Sequence, residues 1–367
     1  MINVTKPYLP ELEEFIPLLE KIWSSGTLSN SGPFHSQFEQ ALAERLSLDH
    51  PALFCNATIA LITAQQALGV QGEVITTPYS FVATAHSLHW MRNIPVFVDI
   101  DPVTLCVDPQ KIEEAITERT TAIMPLHCYG NTCAVDAIAE IARKHGLKVI
   151  YDACHSFGVE DGNGSVLRYG DISVVSFHAT KVFNTFEGGL LVASDAVTKE
   201  KINQLKNFGF IDETTVLQPG LNGKMSEFNA ALGVLQLKYF DEVISLRGSR
   251  DSLYRELLRD VPGIDCVQRT PQKKYNYSYF PILVDPDFTL CRDDLYQLLK
   301  SKGIFGRRYF FPLISEFPMY THLPSSRSDN LPVATQISRR VICLPMYPDL
   351  PESEVERVCD IIKGCVS

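Results

Sequence analysis

Short apolar runs alternate with segments of helical periodicity over about the first 240 residues. The runs predict strands, and the segments between them predict helices over 57–68, 83–91 and 136–145, the last capped by Asp136 and ended by Gly146. Such alternation is typical of a mostly parallel sheet covered on both faces, in which ligands bind beyond the carboxyl ends of the strands. Seven runs predict strands: 52–55, 74–77, 95–100, 121–126, 147–151, 172–177 and 189–193.

The pattern changes near residue 240. A long helical stretch over 228–258 is followed by strand-like runs at 277–284 and 341–344 and by helical segments at 293–302 and 352–363, while 312–332 is rich in Pro, Ser and Asn and is predicted to be irregular. We therefore predict a large domain over residues 1–240 that carries the ligand site and a substrate-contacting N-terminal segment. A smaller α+β domain is predicted over 241–367.

Composition excludes several functional classes. The 367 residues carry 33 basic and 43 acidic side chains, a net charge of −10, which disfavours nucleic-acid binding through a basic surface. No apolar run reaches the roughly 20 residues of a membrane span, and the N-terminus lacks the features of a secretory signal, so we expect a cytoplasmic protein. The ten cysteines form no C-x-x-C pair and the nine histidines no H-x-x-x-H pair, so reduced thiols and no metal site are expected.

Three chemical handles follow predicted strands. The turn Cys55-Asn56-Ala57-Thr58 opens a helix, whose free N–H groups and dipole favour an anion, although Asn56 or Thr58 could simply cap the helix. Asp152 ends the run L-K-V-I-Y-D and could hold a protonated ring nitrogen, bind a metal or cap the next turn. His155, three residues on, could be a ligand or a satisfied core histidine.

The third handle is Lys181, which follows a buried strand and lies among Phe177, Val182 and Phe183. Apolar surroundings lower a lysine pKa, and a neutral amine can attack a carbonyl to form a Schiff base. The alternative is a surface lysine with its stem packed on apolar groups. An anion site, a strand-end carboxylate and a desolvated lysine are together the three handles of pyridoxal 5′-phosphate. Phe81 also follows a strand and could stack on the cofactor ring.

The segment S-F-H-A-T-K-V-F-N-T-F-E-G-G (176–189) resembles the DegT/DnrJ/EryC1/StrS family of sugar aminotransferases. The resemblance extends over nearly the whole chain through T-L-S-N-S-G-P (27–33), T-P-Y-S-F-V-A-T (77–84), Y-D-A-C-H-S-F-G (151–158), M-S-E-F-N-A-A-L-G-V-L-Q-L (225–237) and R-R-Y-F-F-P-L (307–313). It implies the α/β fold type I architecture of pyridoxal-phosphate aminotransferases, with a mostly parallel seven-stranded sheet. It also implies a homodimer with active sites at the subunit interface.

The resemblance also implies roles for individual residues. Lys181 would bind the cofactor aldehyde, Asp152 would pair with the ring nitrogen, and His155, where many members have Gln, would make a pH-sensitive bond to the 3′-oxygen. Further cofactor contacts are implied for Ala57, Thr58 and Ser176 at the phosphate, for Phe81 on the ring, and for Asn229 from the neighbouring subunit. Substrate contacts are implied for Asn30, Arg307 and Tyr309, with Arg308 as a second candidate cation.

Family members generally act on nucleotide-linked keto sugars with L-glutamate as amino donor. The form H-A-T-K-V-F-N-T-F-E-G-G is similar to that of members that aminate C4 of dTDP-4-keto-6-deoxy-D-glucose to supply a sugar for O-antigen and lipopolysaccharide synthesis. A C3 aminotransferase and a C4 enzyme giving the galacto epimer remain alternatives. A pyridoxal-phosphate sugar dehydratase would carry His at the position of Lys181, a non-catalytic homologue would not need all three handles, and a dinucleotide-binding dehydrogenase would need a G-x-G-x-x-G turn.

Overall fold

A computed structural model describes residues 1–366 and contains 14 strands and 11 α-helices among them. The strands are β1 Ile2–Asn3, β2 Pro51–Phe54, β3 Glu73–Thr76, β4 Ile94–Phe97, β5 Thr120–Met124, β6 Lys148–Asp152, β7 Glu160–Asp161, β8 Gly164–Ser165, β9 Ile172–Ser176, β10 Gly189–Ala193, β11 Ile264–Cys266, β12 Phe280–Val284, β13 Ile304–Phe305 and β14 Val341–Leu344. The helices are α1 Leu12–Ser25, α2 Pro33–Leu46, α3 Ala57–Leu68, α4 Ala83–Trp90, α5 Pro109–Glu114, α6 Val135–His145, α7 Ala196–Leu205, α8 Glu227–Leu258, α9 Arg292–Ser301, α10 Pro332–Arg340 and α11 Glu352–Lys363.

Seven strands form the central sheet in the order β2-β10-β9-β6-β5-β3-β4. All neighbouring pairs are parallel except those of β10, which runs antiparallel to both β2 and β9. Each of the seven predicted apolar runs forms one of these strands, with ends shifted by at most three residues. The prediction of an α/β fold with a mostly parallel seven-stranded sheet is confirmed.

The sheet is buried on both faces because its strands alternate between two apolar cores. In β6, Ile150 packs with α3 and α7 residues on one side, whereas Val149 and Tyr151 pack with α6 residues on the other. Only Lys148 of this strand is exposed. A strand buried on both faces has no polar face to alternate with, which explains the continuous apolar runs in the sequence.

The C-terminal residues build a second, three-stranded antiparallel sheet in the order β11-β12-β14, packed with α9 and α11. Helix α8 has 32 residues and contacts α2 near the large sheet and α11 near the small one. The boundary predicted at residue 240 falls inside this helix, and the division of the chain there stays a prediction.

The structure corrects three local predictions. Helix α6 begins at Val135, so Asp136 lies in its first turn rather than at its cap, while Gly146 ends the helix with φ 67° as expected. The strand predicted from residue 277 begins at Phe280, because Tyr277 adopts a left-handed backbone conformation with φ 51°, which interrupts an extended strand. The last predicted irregular residue, Pro332, begins α10.

Three further features concern the described residues. Within residues 1–366, no helix combines the length and apolar character needed to cross a bilayer. All ten cysteines are free thiols, and only Cys291 is exposed. Over the same described range, no three His, Cys, Asp or Glu side chains gather as a metal-binding group.

Gly233 packs tightly against α2. A Cβ at this position would lie 2.5 Å from the ring of Phe38, which is fully buried. We expect Gly233→Ala to lower the free energy of unfolding by about 1–3 kcal/mol, since overpacking outweighs the gain in helix propensity. Urea unfolding measures this, with Ser245→Ala on the exposed face of α8 as the control. Equal stability of the two variants would contradict the close approach.

Candidate active site

The turn between β2 and α3 presents free backbone donors to a cavity. Asn56 is the N-cap of α3, and its Oδ1 accepts a hydrogen bond from Ile59 N at 2.9 Å. Ala57 and Thr58 form the first turn, where N–H groups have no partner within the helix. Gly189 lies against this turn, since a Cβ there would be 2.9 Å from Ala57 N. The cap and the anion site are therefore compatible: Asn56 caps, and the two N–H groups remain for a ligand.

Asp152 ends β6 with its carboxylate buried and held in place. Its Oδ2 accepts a hydrogen bond from the Thr84 hydroxyl at 2.7 Å, and its Oδ1 accepts one from Cys154 N at 3.1 Å. The Thr84 oxygen in turn accepts from Ser80 at 2.7 Å. Asp152 is only 4% exposed. The carboxylate therefore keeps acceptor capacity for one further cationic or N–H group, which is what a buried charge requires.

Lys181 lies in the loop between β9 and β10, with its Nζ donating to the Tyr279 hydroxyl at 3.3 Å. Burial lowers the pKa of its ammonium, but Tyr279, Cys154 and Asp152 raise it, and the net effect is a pKa above the ordinary lysine value. The expectation of a lowered pKa is therefore wrong for this structure. Desolvation acts in the predicted direction, but polar neighbours from other parts of the chain outweigh it.

His155 is buried and its protonation is fixed by the backbone. Tyr129 N–H donates to His155 Nδ1 at 3.1 Å, so this nitrogen is an acceptor and the ring proton is assigned to Nε2. Burial lowers the pKa of His155 well below its ordinary value, and the charges of Lys181 and His127 act in the same direction. The prediction of a pH-sensitive contact is therefore wrong near neutral pH, because the His155 ring is uncharged there.

These groups line one cavity of about 240 Å³ at the carboxyl ends of the strands. It contains Lys181, Asp152, His155, Ser176 and the first turn of α3, and the ring of Phe81, 55% exposed, lies on its wall. The unpaired N–H groups of that turn suit a phosphate, the buried carboxylate suits a pyridinium, the open aromatic face suits a planar ring, and the amine suits an aldehyde. The residues present therefore fit pyridoxal 5′-phosphate.

The structure does not bring all the predicted residues to this cavity. Tyr309 lines it, but Arg307 is not among its lining residues. Asn30 lines a separate cavity with His35 and Lys206. The amide of Asn229 donates to Thr185 O at 2.7 Å within its own chain.

Several residues of the site were missed by the sequence analysis. Thr84 ends the segment T-P-Y-S-F-V-A-T (77–84), but nothing in the local sequence indicates that its hydroxyl reaches Asp152. Tyr279 lies 98 residues after Lys181 and comes from the segment that leads into β12, so no spacing connected the two. The other lining residues that were not predicted are Leu61, Ser80, Ala83, Leu126, Cys154, Glu187 and Phe310, whereas His178 and Thr180 lie beside Lys181 as their shared segment predicts.

Comparison with known proteins gives a consistent result. The model of the DegT/DnrJ/EryC1/StrS aminotransferase family matches residues 11–363. A dTDP-4-amino-4,6-dideoxy-D-glucose transaminase of Shigella dysenteriae is 56% identical over 99% of this chain and 98% of its own length. A transaminase of the same name from Escherichia coli is 52% identical over 99% and 98%.

Solved structures agree with these sequence relatives. The structure of DesI in the presence of its TDP-sugar product has a TM-score of 0.94 at 35% identity, covering 99% of this chain and 92% of that one. The structure of ntda from Bacillus subtilis with bound cofactor PMP has a TM-score of 0.89 at 28% identity, covering 99% and 85%.

The neutral state of His155 can be measured directly. We expect the ¹⁵N imidazole shifts of His155 to show a neutral ring protonated at Nε2 throughout roughly pH 6 to 8. Because its folded pKa lies below the unfolded value, the unfolded chain takes up the proton first, and folding stability is lost as the pH falls below about 6.5. The exposed His178 is the internal comparison. An imidazolium signal from His155 at pH 7 would contradict the assignment.

Proposed function

The chain belongs to the DegT/DnrJ/EryC1/StrS aminotransferase family and is a pyridoxal-phosphate-dependent enzyme, and we propose that it transfers an amino group from L-glutamate to C4 of dTDP-4-keto-6-deoxy-D-glucose. The products would be dTDP-4-amino-4,6-dideoxy-D-glucose and 2-oxoglutarate. The observation that carries the chemistry is the convergence of Lys181, Asp152 and the first turn of α3 on one cavity. Identity above 50% over nearly the full length of two transaminases supports the substrate.

The chain's own residues divide the work of holding the cofactor. When bound, pyridoxal 5′-phosphate supplies an aldehyde and an electron-accepting ring. The N–H groups of Ala57 and Thr58, with the Ser176 hydroxyl, would hold the phosphate. Asp152 would accept from the ring nitrogen and keep it protonated, and Phe81 would cover the ring.

Lys181 and His155 complete the arrangement. Because His155 carries its proton on Nε2, this nitrogen would donate a hydrogen bond to the 3′-oxygen without changing charge near neutral pH. Once the Lys181 nitrogen is released from the cofactor, it lies in the cavity, where it would move a proton between atoms of the bound substrate and cofactor.

The two adjacent arginines differ in their availability for an anionic substrate. Arg308 forms an ion pair with Asp293 at 2.6 Å and packs over the ring of Tyr296. Arg307 lies over the ring of Tyr309, which lines the cavity, and makes no ion pair among the described residues. Arg307 is therefore proposed to bind the nucleotide diphosphate or the glutamate carboxylate, with Tyr309 beside it and Asn30 as a further substrate contact.

A homodimer is proposed as the working form. The loop after α7 folds back on itself through a bridge between Phe210 and Val216, yet exposes apolar side chains that include Phe208 and Leu217. Exposed apolar groups gathered in one loop are typical of an interaction surface. In the dimer, Asn229 would reach the phosphate of the neighbouring subunit.

We propose a cofactor-binding domain over residues 1–240 and a small domain over residues 241–367. The product would serve O-antigen or other surface polysaccharide synthesis, including lipopolysaccharide, from the cytoplasm.

The reaction itself is tested by identifying the product. Purified holoenzyme with L-glutamate and dTDP-4-keto-6-deoxy-D-glucose is expected to place the new amine at C4 in the gluco configuration, as read by NMR. Lys181→Ala should form no product, since the proton-moving amine is gone, whereas Lys148→Ala on the exposed start of β6 should retain full turnover. A new amine at C3, or a galacto product, would overturn the proposed substrate or stereochemistry. Loss of oxygen without gain of nitrogen would indicate a dehydratase.

The role of Arg307 is tested against its neighbour. Arg307→Gln is expected to raise KM for one anionic substrate by about 10- to 100-fold, because a charge-assisted hydrogen bond is lost. Arg308→Gln should change neither KM by more than about twofold, because Arg308 is engaged by Asp293. Steady-state kinetics with each substrate varied in turn shows which anion Arg307 binds. The reverse pattern would assign the anion to Arg308.

A further inference from the structure

Tyr279 is the residue that contacts the reactive amine. Its hydroxyl accepts a hydrogen bond from Lys181 Nζ at 3.3 Å, and no other side chain or carbonyl within residues 1–366 bonds this nitrogen. The nearby polar groups of the lysine loop are engaged elsewhere, since His178 Nδ1 and the Thr180 hydroxyl bond each other at 2.8 Å. The orientation of the amine therefore depends on one phenol.

The phenol is held rigidly by the segment that precedes β12. The side chains of Asn276 and Ser278 both donate to the His155 carbonyl at 2.8 Å. The guanidinium of Arg247, which is fully buried, donates to the carbonyls of Tyr277 and Met346. The segment directly before Tyr279 is thus anchored by hydrogen bonds to the His155 carbonyl and to the Arg247 guanidinium.

The ring of Tyr279 is also packed among other aromatic rings of the site. It meets the His155 ring edge-on with centroids 4.8 Å apart, and it contacts Tyr129 at 5.4 Å and Tyr309 at 5.7 Å. Rings at these separations and angles attract each other, and they leave the phenol little freedom to rotate away. The hydroxyl is therefore directed at Lys181 by packing as well as by the backbone.

We propose that Tyr279 is a positioning residue for Lys181. The Tyr279 hydroxyl keeps the lysine nitrogen hydrogen-bonded in both of its states, with the transferred proton on the nitrogen and after that proton has left. This inference rests on the proposed aminotransferase reaction and assigns a residue from the C-terminal part of the chain to it. No covalent bond to the phenol oxygen is made or broken. The hydroxyl accepts a hydrogen bond from the protonated lysine nitrogen and donates one to the lone pair of the deprotonated lysine nitrogen.

The chemistry of a neutral phenol suits this double role. A tyrosine hydroxyl is both a donor and an acceptor, whereas a carboxylate or a carbonyl only accepts. Burial raises the pKa of Tyr279, and although Lys181 acts against this, the net shift is upward, so the hydroxyl stays protonated near neutral pH. A carboxylate in its place would hold the proton on the lysine and oppose its transfer.

The test compares holoenzymes of the unchanged chain, Tyr279→Phe and Tyr277→Phe. Tyr279→Phe is expected to lower kcat by about 10- to 100-fold and leave both KM values within about threefold, because the lost bond involves the amine and not the substrates. The midpoint of the pH titration of the visible cofactor absorption should fall by about 1 pH unit, since the phenol no longer stabilises the protonated nitrogen. Tyr277→Phe, two residues away, should leave kcat, both KM values and the midpoint unchanged.

A Gln at position 279 also donates and accepts, so Tyr279→Gln should recover part of the midpoint shift, and it gives a second comparison if the Phe variant folds poorly. Unchanged kcat and midpoint in Tyr279→Phe would overturn the inference while the reaction of the unchanged enzyme stands. Absence of cofactor absorption or of an aminated product in the unchanged enzyme would instead refute the proposed function.

Discussion

The burial of a carboxylate at the end of β6 is the constraint on which the site depends. An ionised Asp152 inside an apolar sheet is costly unless its oxygens are hydrogen-bonded and a positive group faces it. Thr84 and Cys154 N supply two bonds, and the Lys181 ammonium supplies charge in the same cavity. A pyridinium would satisfy the remaining acceptor capacity. A bound cofactor would therefore supply the positive hydrogen-bond donor that the protein itself provides to Asp152 only in part.

The topology explains why these groups meet. Strands β6 and β9 are parallel neighbours, so Asp152 and Ser176 end at the same edge of the sheet. Strand β10 returns antiparallel between β9 and β2, which places the lysine loop beside the first turn of α3. Gly189 permits that close approach. The segment that leads into β12 then contributes Tyr279, and this segment is hydrogen-bonded to the His155 backbone carbonyl.

Sequence reasoning reached the large sheet and the residues at its strand ends because both are encoded locally. The runs that form β9 and β10 and the helix α3 were placed within about one residue, since buried strands and a capped helix have short-range signatures. Properties set by contacts between distant parts of the chain could not be predicted in this way. The pKa of Lys181 depends on Tyr279, 98 residues away, and the protonation of His155 depends on the N–H of Tyr129. Asn30 and Arg307 were found by motif, and the structure places them outside the cofactor cavity.

The central claim is that one amine, that of Lys181, reacts with the cofactor aldehyde opposite Asp152. The most direct measurement is hydride reduction of the purified holoenzyme followed by proteolysis and mass mapping of the pyridoxyl-labelled peptide. The account predicts a single label on Lys181. A label on Lys206 or another lysine, or no label on a protein supplied with pyridoxal 5′-phosphate, would contradict it.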